Sequence, residues 1–226
     1  MENKIVLNSD FTNYKEAFLE ENSKHNLISK NDEKFLYEKH IYDSLGIKLF
    51  FRKYNITKAN ILDIGCGGGF PSLVIAILRP DVSVFSVDSV SKKVAYVEST
   101  AQKFGLTNEK TSNERAESLG QGNKRESFDV VTARAVGRLN LISELCIPLV
   151  SVGGVFLAMK SLSTDEELEE AQKAIALLGG KVENVFTYTL TDDNEEIERS
   201  IVVIRKIKNT PPKYPRNNSQ IAKKPL

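Results

Sequence analysis

The stretch NILDIGCGGGFP, from Asn60 to Pro71, constrains this chain more than any other. Ile61-Leu62-Asp63-Ile64 is a short apolar run of the kind that forms a buried parallel strand, and Gly65, Gly67 and Gly69 follow it at alternate positions. A strand that turns directly into a helix passes through backbone angles closed to most side chains, and glycine opens them. Bare backbone amides at the start of the helix can then lie against a ligand. Phe70-Pro71 begins a helical pattern, and proline suits the first turn because its missing N–H costs nothing there. The spacing argues against a dinucleotide loop: G-x-G-x-x-G needs glycine at position 70, where Phe70 stands. A tight turn in some other α/β protein is the plainer alternative.

The rest of the chain fits a sheet built around that loop. Phe11, Tyr14 and Phe18 mark one face of an N-terminal helix. A second helix is predicted from Asn31 through Ser44, with Phe35, Leu36 and Tyr42 as its apolar residues, and a third pattern contains Leu45, Leu49 and Tyr54. His40 and Asp43 are three apart and so share a helix face, either turned toward a substrate or forming a local hydrogen bond that orients two helices. From residue 57 strands and helices alternate, which predicts a mostly parallel sheet with helices on both faces. Strands are expected at Val82–Val87, weakly within the polar positions 107–119, at Phe128–Thr132 and at Val155–Met159, with a helix at Leu139–Val150 before Gly153-Gly154. Ser163 and Glu166 form a capping box for a helix carrying Leu168, Ala171, Ile175 and Leu178. Two further strands, about Val182–Leu190 and Ile197–Ile207, flank an acidic turn. The domain reading is a helical extension over 1–56 packed on the core, a cofactor-binding domain over 57–208 and an extended basic tail over 209–226.

In such sheets ligands sit outside the carboxyl ends of the strands, where the strand order reverses. That rule collects the glycine loop, Asp88-Ser89, Ala116-Glu117, Arg134 and Lys160. Asp88 ends the second strand, and a carboxylate there can accept both hydroxyls of a ribose; its simpler role is to cap the next helix.

Composition excludes several classes. The 226 residues are 41% hydrophobic and 27% charged, enough for a full core without disulfides. Cys66 and Cys146 are isolated, with no zinc-type set, so reduced thiols and no metal are expected. MENKIVLNSD lacks a signal-peptide core and no stretch nears the length of a membrane span, so a soluble, cytoplasmic chain without membrane contact is expected. The net charge is only +1, yet from Arg199 onward there are eight Lys or Arg residues and no Asp or Glu. Such a tail points to a polyanionic partner, although charge runs are also ordinary solvated surface.

The G-x-G-x-G spacing with Asp63 two residues ahead of it resembles motif I of the class I S-adenosylmethionine (AdoMet) methyltransferases. Within that class, several chemistries lack their residues here. Amino methylation of adenine or cytosine uses a [DNS]-P-P-[YFW] motif where this chain has Ala133-Arg134-Ala135. Carbon-5 methylation needs a nucleophilic cysteine, but Cys66 lies in the loop and Cys146 in an apolar helix. Ribose 2′-O-methylation favours an Asp at the end of the fourth strand, and Asp129 is at its beginning. An uncharged ring nitrogen with a free lone pair, such as guanine N7, remains. It needs no general base, only proximity and alignment.

Taken in order, Asn26-Leu27-Ile28, His40-Ile41-Tyr42-Asp43-Ser44-Leu45, DIGCGGGFP, Val87-Asp88-Ser89 with Lys92-Lys93, Arg115-Ala116-Glu117, Ala133-Arg134-Ala135, Ala158-Met159-Lys160, Glu198-Arg199 and Tyr214-Pro215-Arg216 resemble the small-subunit ribosomal RNA methyltransferase G family, also called glucose-inhibited division protein B. The resemblance covers nearly the whole chain. It implies a Rossmann-like class I methyltransferase fold with AdoMet as cofactor, acting on N7 of one guanosine in 16S rRNA near the decoding site. It implies cofactor contacts from Gly65, Phe70, Ala116, Glu117 and Arg134, beside Gly67, Gly69 and Asp88 of the loop and second strand. Ala116-Glu117 would bracket the adenine, and Arg134 would lie near the methionine end or the incoming base. Lys160, Arg199 and Arg216 become candidates for RNA phosphate contact, with surface ion pairs as the alternative for Lys160 and Arg199. Cys66 stands where the family often has Ser or Thr, Ser72 where Gly is common, and Ser219 and Ile221 where Gly and Pro are usual. The partner expected is 16S rRNA or a small-subunit particle, met by a monomer. The rival readings are a dinucleotide-dependent oxidoreductase, a non-catalytic RNA-binding or ribosome-assembly factor that retains the cofactor fold, and a small-molecule methyltransferase.

Overall fold

The computed structural model describes residues 10–25, 27–161, 164–192 and 195–226. Asn26, Ser163 of the capping box and the tip of the acidic turn at 193–194 lie outside them.

Aromatic periodicity at the N-terminus becomes α1, Asp10–His25, with Phe11, Tyr14 and Phe18 all buried. The single helix expected from Asn31 to Ser44 is instead broken into α2 (Lys30–Glu33), a π-helical segment (Leu36–Tyr42) and α3 (Asp43–Leu45). Wider π turns commonly sit at functional positions, and this one carries His40. α4, Lys48–Tyr54, buries Phe50 and Phe51 rather than Leu49 and Tyr54, and ends on left-handed Asn55.

The sheet contains β1 (Asn60–Ile64), β2 (Ser83–Val87), β3 (Glu109–Ser112), β4 (Phe128–Arg134), β5 (Val150–Lys160), β6 (Gly180–Asp192) and β7 (Glu195–Lys206). Between them run α5 (Ser72–Leu78), α6 (Ser91–Lys103), α7 (Ala116–Gln121), α8 (Leu139–Cys146) and α9 (Thr164–Leu177). Strand order is β3-β2-β1-β4-β5-β7-β6; β1 to β5 pair in parallel, and β7 runs antiparallel to both β5 and β6. The order reverses between β1 and β4. Their registers place Ile64 beside both Val87 and Ala133, so the residues that follow, Gly65, Asp88 and Arg134, emerge at one edge. β1 after Asn60 and the inner part of β5 are buried on both faces, as a strand covered by helices must be, and apolar except for Asp63.

β3 is polar because it is the edge strand, with only Glu109 of its four residues buried. β5 begins five residues before the expected Val155, so Gly153-Gly154 lies inside a strand rather than ahead of one. The β4–β5 register shifts between Phe128 and Val130, Gly153 has φ +91°, and a Cβ on Gly154 would lie 2.6 Å from the Asp129 carbonyl oxygen. The two glycines thus allow an irregular strand start that sequence alone reads as a break.

The C-terminal segment is not extended along its length. It turns at Pro212-Lys213, buries Tyr214 and closes on a short helix, α10 (Asn218–Lys223), whose Ile221 is fully buried against one face of the sheet. Apolar residues form three clusters: one under α8 and α9, one on the opposite face under α4, and one joining α1 and the π segment to α5 and α6. Among the described residues no helix is long and apolar enough to cross a membrane, and no cluster of metal-ligating side chains occurs.

Candidate cofactor cleft

Left-handed backbone shapes the loop after β1: Gly65, Gly67 and Gly69 have φ of +72°, +53° and +82°. A Cβ on Gly65 would strike Val136, and one on Gly69 would strike Leu73, whereas one on Gly67 would meet only the Gly65 carbonyl oxygen, at 3.8 Å. Gly67 therefore borders open space. The Gly65 and Cys66 amides both donate to the Val87 carbonyl, at 2.8 and 3.1 Å, which stitches the loop to the end of β2. Asp88, buried at that end, accepts from the Gly67 amide through Oδ2 (3.1 Å) and from the Val90 amide through Oδ1 (2.9 Å). It thus braces the loop and the entry to α6 together. Each oxygen keeps a further lone pair for a ligand hydroxyl.

A cleft of about 160 Å³ opens at these strand ends, lined by Gly65, Asp88, Ser89, Glu114 to Glu117, Val136, Leu145 and Asn218 among others. Gly65, Asp88, Ala116 and Glu117 are brought together there as expected from the sequence. Wider concavities of about 640 and 540 Å³ lie away from the loop, around the β3 edge and at the opposite ends of β1 and β2. They lack a built loop and the converging strand ends, so the smaller cleft is the better binding site.

Below the loop, Asp63 is 1% exposed. Its Oδ1 accepts from the Thr132 hydroxyl at 2.9 Å, while Oδ2 and the nearby Ser72 hydroxyl complete no hydrogen bond. Burial pushes its carboxyl up to about 6, against the opposing pull of Thr132, Ser72 and Arg134. The sequence marks Asp63 as part of the loop spacing but does not reveal this unsatisfied oxygen.

Of the expected cofactor residues, Gly67 and Gly69, next to Gly65 in the loop, do not line the cleft, and neither do Phe70 and Arg134. The Phe70 ring packs against Tyr14, Phe18 and His40, and the Arg134 guanidinium lies 5.4 Å from its centroid. Arg134 donates to Asp43 Oδ2 (2.8 Å), to the Lys39 carbonyl (3.1 Å) and, more weakly, to the Phe70 carbonyl (3.4 Å). It also lies 3.0 Å from His40 Nδ1. Arginine can only donate, so Nδ1 accepts and the proton sits on Nε2, which is itself buried without a partner. Burial, and then Arg134, lowers the His40 pKa to about 4. The histidine is neutral: Arg134 engages its Nδ1 lone pair and Nε2 carries the proton, which leaves it no lone pair for general-base work.

The cationic candidates prove to be paired. Lys160 contacts Glu167 at 2.7 Å and donates to the Gly137 carbonyl. Arg199 lies 3.7 Å from Asp43. Arg216 grips Glu144, which is 0% exposed, through both Nε and Nη2. Sequence periodicity could not show the Arg199 and Arg216 pairings, because Asp43 and Glu144 are distant in the chain.

Comparison with known proteins adds identity to this geometry. The family described as rRNA small subunit methyltransferase G matches residues 7–198. The ribosomal RNA small subunit methyltransferase G of Listeria monocytogenes is 46% identical over 219 residues, covering 96% of this chain and 90% of the relative. That of Bacillus subtilis is 45% identical over 217 residues, covering 96% and 89%. Among solved structures, coclaurine N-methyltransferase bound to N-methylheliamine and SAH superposes with a TM-score of 0.55 at 13% identity, covering 73% of this chain and 70% of that one. Precorrin-6y C5,15-methyltransferase from Geobacter metallireducens gives 0.52 at 18%, covering 70% and 85%. At such identities the structural likeness establishes the fold and nothing finer.

Proposed function

The chain belongs to the rRNA small subunit methyltransferase G family, and from that premise we propose that it transfers a methyl group from AdoMet to N7 of one guanosine of 16S rRNA. The observation that carries this reading is the cleft itself: a glycine loop, a ribose-competent Asp88 and the start of α7 converge at the reversal point of the sheet. Open space at Gly67 and unused acceptor capacity on Asp88 fit a nucleoside with an amino-acid tail.

Bound AdoMet supplies an electrophilic methyl group on a positively charged sulfur. The protein's part is placement. Asp88 would accept from the ribose hydroxyls, the glycine loop at Gly65 and Gly67 would let the backbone approach the cofactor, and Ala116 and Glu117 would hold the adenine. The unpaired Asp63 oxygen lies under the loop with negative potential suited to a cationic centre. Guanine N7 keeps its lone pair in the ring plane and carries no proton, so no base has to remove one. That matches a chain whose His40 has its one lone pair, on Nδ1, engaged by Arg134. Arg134 and Phe70 act one step away, by holding the π segment and α1 against the loop.

The substrate in this reading is naked or partly assembled 16S rRNA, since a closed duplex gives poor access to a base edge. The protein acts as a monomer in the cytoplasm. The test is methyl transfer from labelled AdoMet to 16S rRNA and to small-subunit particles lacking the modification, followed by identification of the product nucleoside. One N7-methylguanosine is the expected product. AdoMet binding without transfer to either substrate would overturn the assignment of the acceptor.

A further inference from the structure

One residue of the cleft lining comes from the C-terminal segment: Asn218, the first residue of α10. The segment that delivers it, residues 209–226, lies beyond the family match at 7–198 and is fastened at several points. Arg125 donates to four carbonyls, those of Gly120, Tyr214, Thr210 and Pro211, at 2.9, 2.6, 2.6 and 3.3 Å. The Gln121 amide donates to the Pro215 carbonyl at 2.8 Å, and Pro215 packs so tightly on Gly120 that a Cβ there would meet its ring at 2.8 Å. Arg216 closes on buried Glu144 of α8, and Ile221 enters the core. Two of these anchors, Gly120 and Gln121, belong to α7, the helix whose first residues, Ala116 and Glu117, line the same cleft.

Asn217 and Asn218 are neighbours with different duties. The Asn217 side chain caps α10 by accepting from the Gln220 amide at 3.0 Å. The exposed Asn218 side chain has no hydrogen-bond partner among the described residues, although it lines the cleft. A primary amide offers a donor and an acceptor side by side, the complement of the amino group and ring nitrogen on an adenine edge.

We propose that residues 209–226 form a fixed strap over the adenine end of the cleft, and that Asn218 is a cofactor-specificity residue reading the adenine edge. This rests on the reading of the cleft as the AdoMet site. The strap is held in place by Arg125, Gln121 and Arg216, all bonded within the protein itself, so Asn218 is pre-positioned and little ordering cost is left to binding. Among the eight cations from Arg199 onward, Arg216 and Lys206, which donates to the Thr210 hydroxyl, anchor the segment.

The test compares S-adenosylhomocysteine with S-inosylhomocysteine by calorimetry on the full chain. The inosyl form replaces the adenine amino group with a carbonyl. Wild-type protein is expected to prefer the adenosyl form, and Asn218→Ala to lose about tenfold in affinity for it and most of that preference, as loss of a bidentate amide–adenine pair implies. The melting temperature of Asn218→Ala should match wild type, because its side chain supports no other group. Gly67→Asp serves as the reference. If it abolishes binding while Asn218→Ala keeps wild-type affinity and preference, the strap inference is wrong and the cleft assignment stands. If Gly67→Asp also binds normally, the cleft assignment itself is wrong and the inference goes with it.

Discussion

Arg134 and Asp43 stand 91 residues apart in the chain and meet at 2.8 Å, with side chains 13% and 8% exposed. Arg134 closes β4 at the reversal point of the sheet, and Asp43 starts α3 in the N-terminal extension. The other Asp43 oxygen accepts from the Tyr188 hydroxyl of β6 at 2.7 Å, with Arg199 of β7 at 3.7 Å. One carboxylate therefore joins the extension to the middle of the sheet and to its far edge, and Tyr188 is packed so closely that a Cβ on Gly46 would fall within 2.5 Å of its ring.

Breaking that junction from one side leaves a buried charge unmatched, at a cost of about 3–5 kcal/mol. Asp43→Ala and Arg134→Ala should each lower the unfolding free energy by that order in denaturant titration. The double variant should lose clearly less than the sum, since neither charge is then stranded. Additive losses would mean that the two side chains do not act as a pair.

Gly67→Asp should reduce AdoMet affinity by roughly a hundredfold or more, because it puts bulk and negative charge beside Asp88 at a position with positive φ. The cost to stability should be modest, since open space surrounds a Cβ there. Isothermal calorimetry with a parallel melting curve separates the two effects. Affinity within twofold of wild type would remove the loop from the binding site.

Sheet, loop and family were legible because each depends on local pattern: apolar runs, glycine spacing and short motifs in a fixed order. The members of the cleft contributed by strand ends were legible too, as the parallel-sheet rule places Gly65, Asp88 and Ala116-Glu117 at one edge. Pairings set by the tertiary fold were hidden. Nothing in the sequence around Arg216 announces Glu144, and Arg125 lies in a polar stretch with no periodicity, yet it organises the C-terminal segment. The helix expected over Asn31–Ser44 failed at the π turn because helical periodicity is read with a fixed period that a wider turn does not keep. β3 was faint because an edge strand can leave three of four side chains in contact with water.

Lys160→Met distinguishes a structural cation from a phosphate contact. With Glu167 at 2.7 Å and both side chains 11% exposed, the pair stabilises the end of β5 against α9. Losing the lysine should lower stability by about 3 kcal/mol, as for other pairs broken on one side. The slope of log affinity for 16S rRNA against log salt should stay unchanged, because no phosphate partner is removed. A slope reduced by about one, with stability intact, would instead place Lys160 on the RNA.

Glu109 gives the protein a pH dependence that can be isolated from the cofactor site. It lies on β3, is 9% exposed, and accepts from the Ser86 hydroxyl at 2.5 Å, while Oε2 has no partner. Burial raises its pKa to about 8, with Ser86 opposing and Asp63 adding to the shift. For an acid whose pKa is higher in the folded state, the folded chain holds the proton that the unfolded chain has released, so stability falls as pH rises. The fall begins near the unfolded value of about 4.5, proceeds at about 1.4 kcal/mol per pH unit for this group, and ends once pH passes about 8. Glu109→Gln keeps the size and the acceptor for Ser86 and removes the ionisation. Its stability relative to wild type should therefore climb between pH 5 and 8 by a few kcal/mol and then level off. Unfolding titrations at pH 5, 6.5, 8 and 9 check this, and a difference that stays flat across that range would show Glu109 ionised at neutral pH.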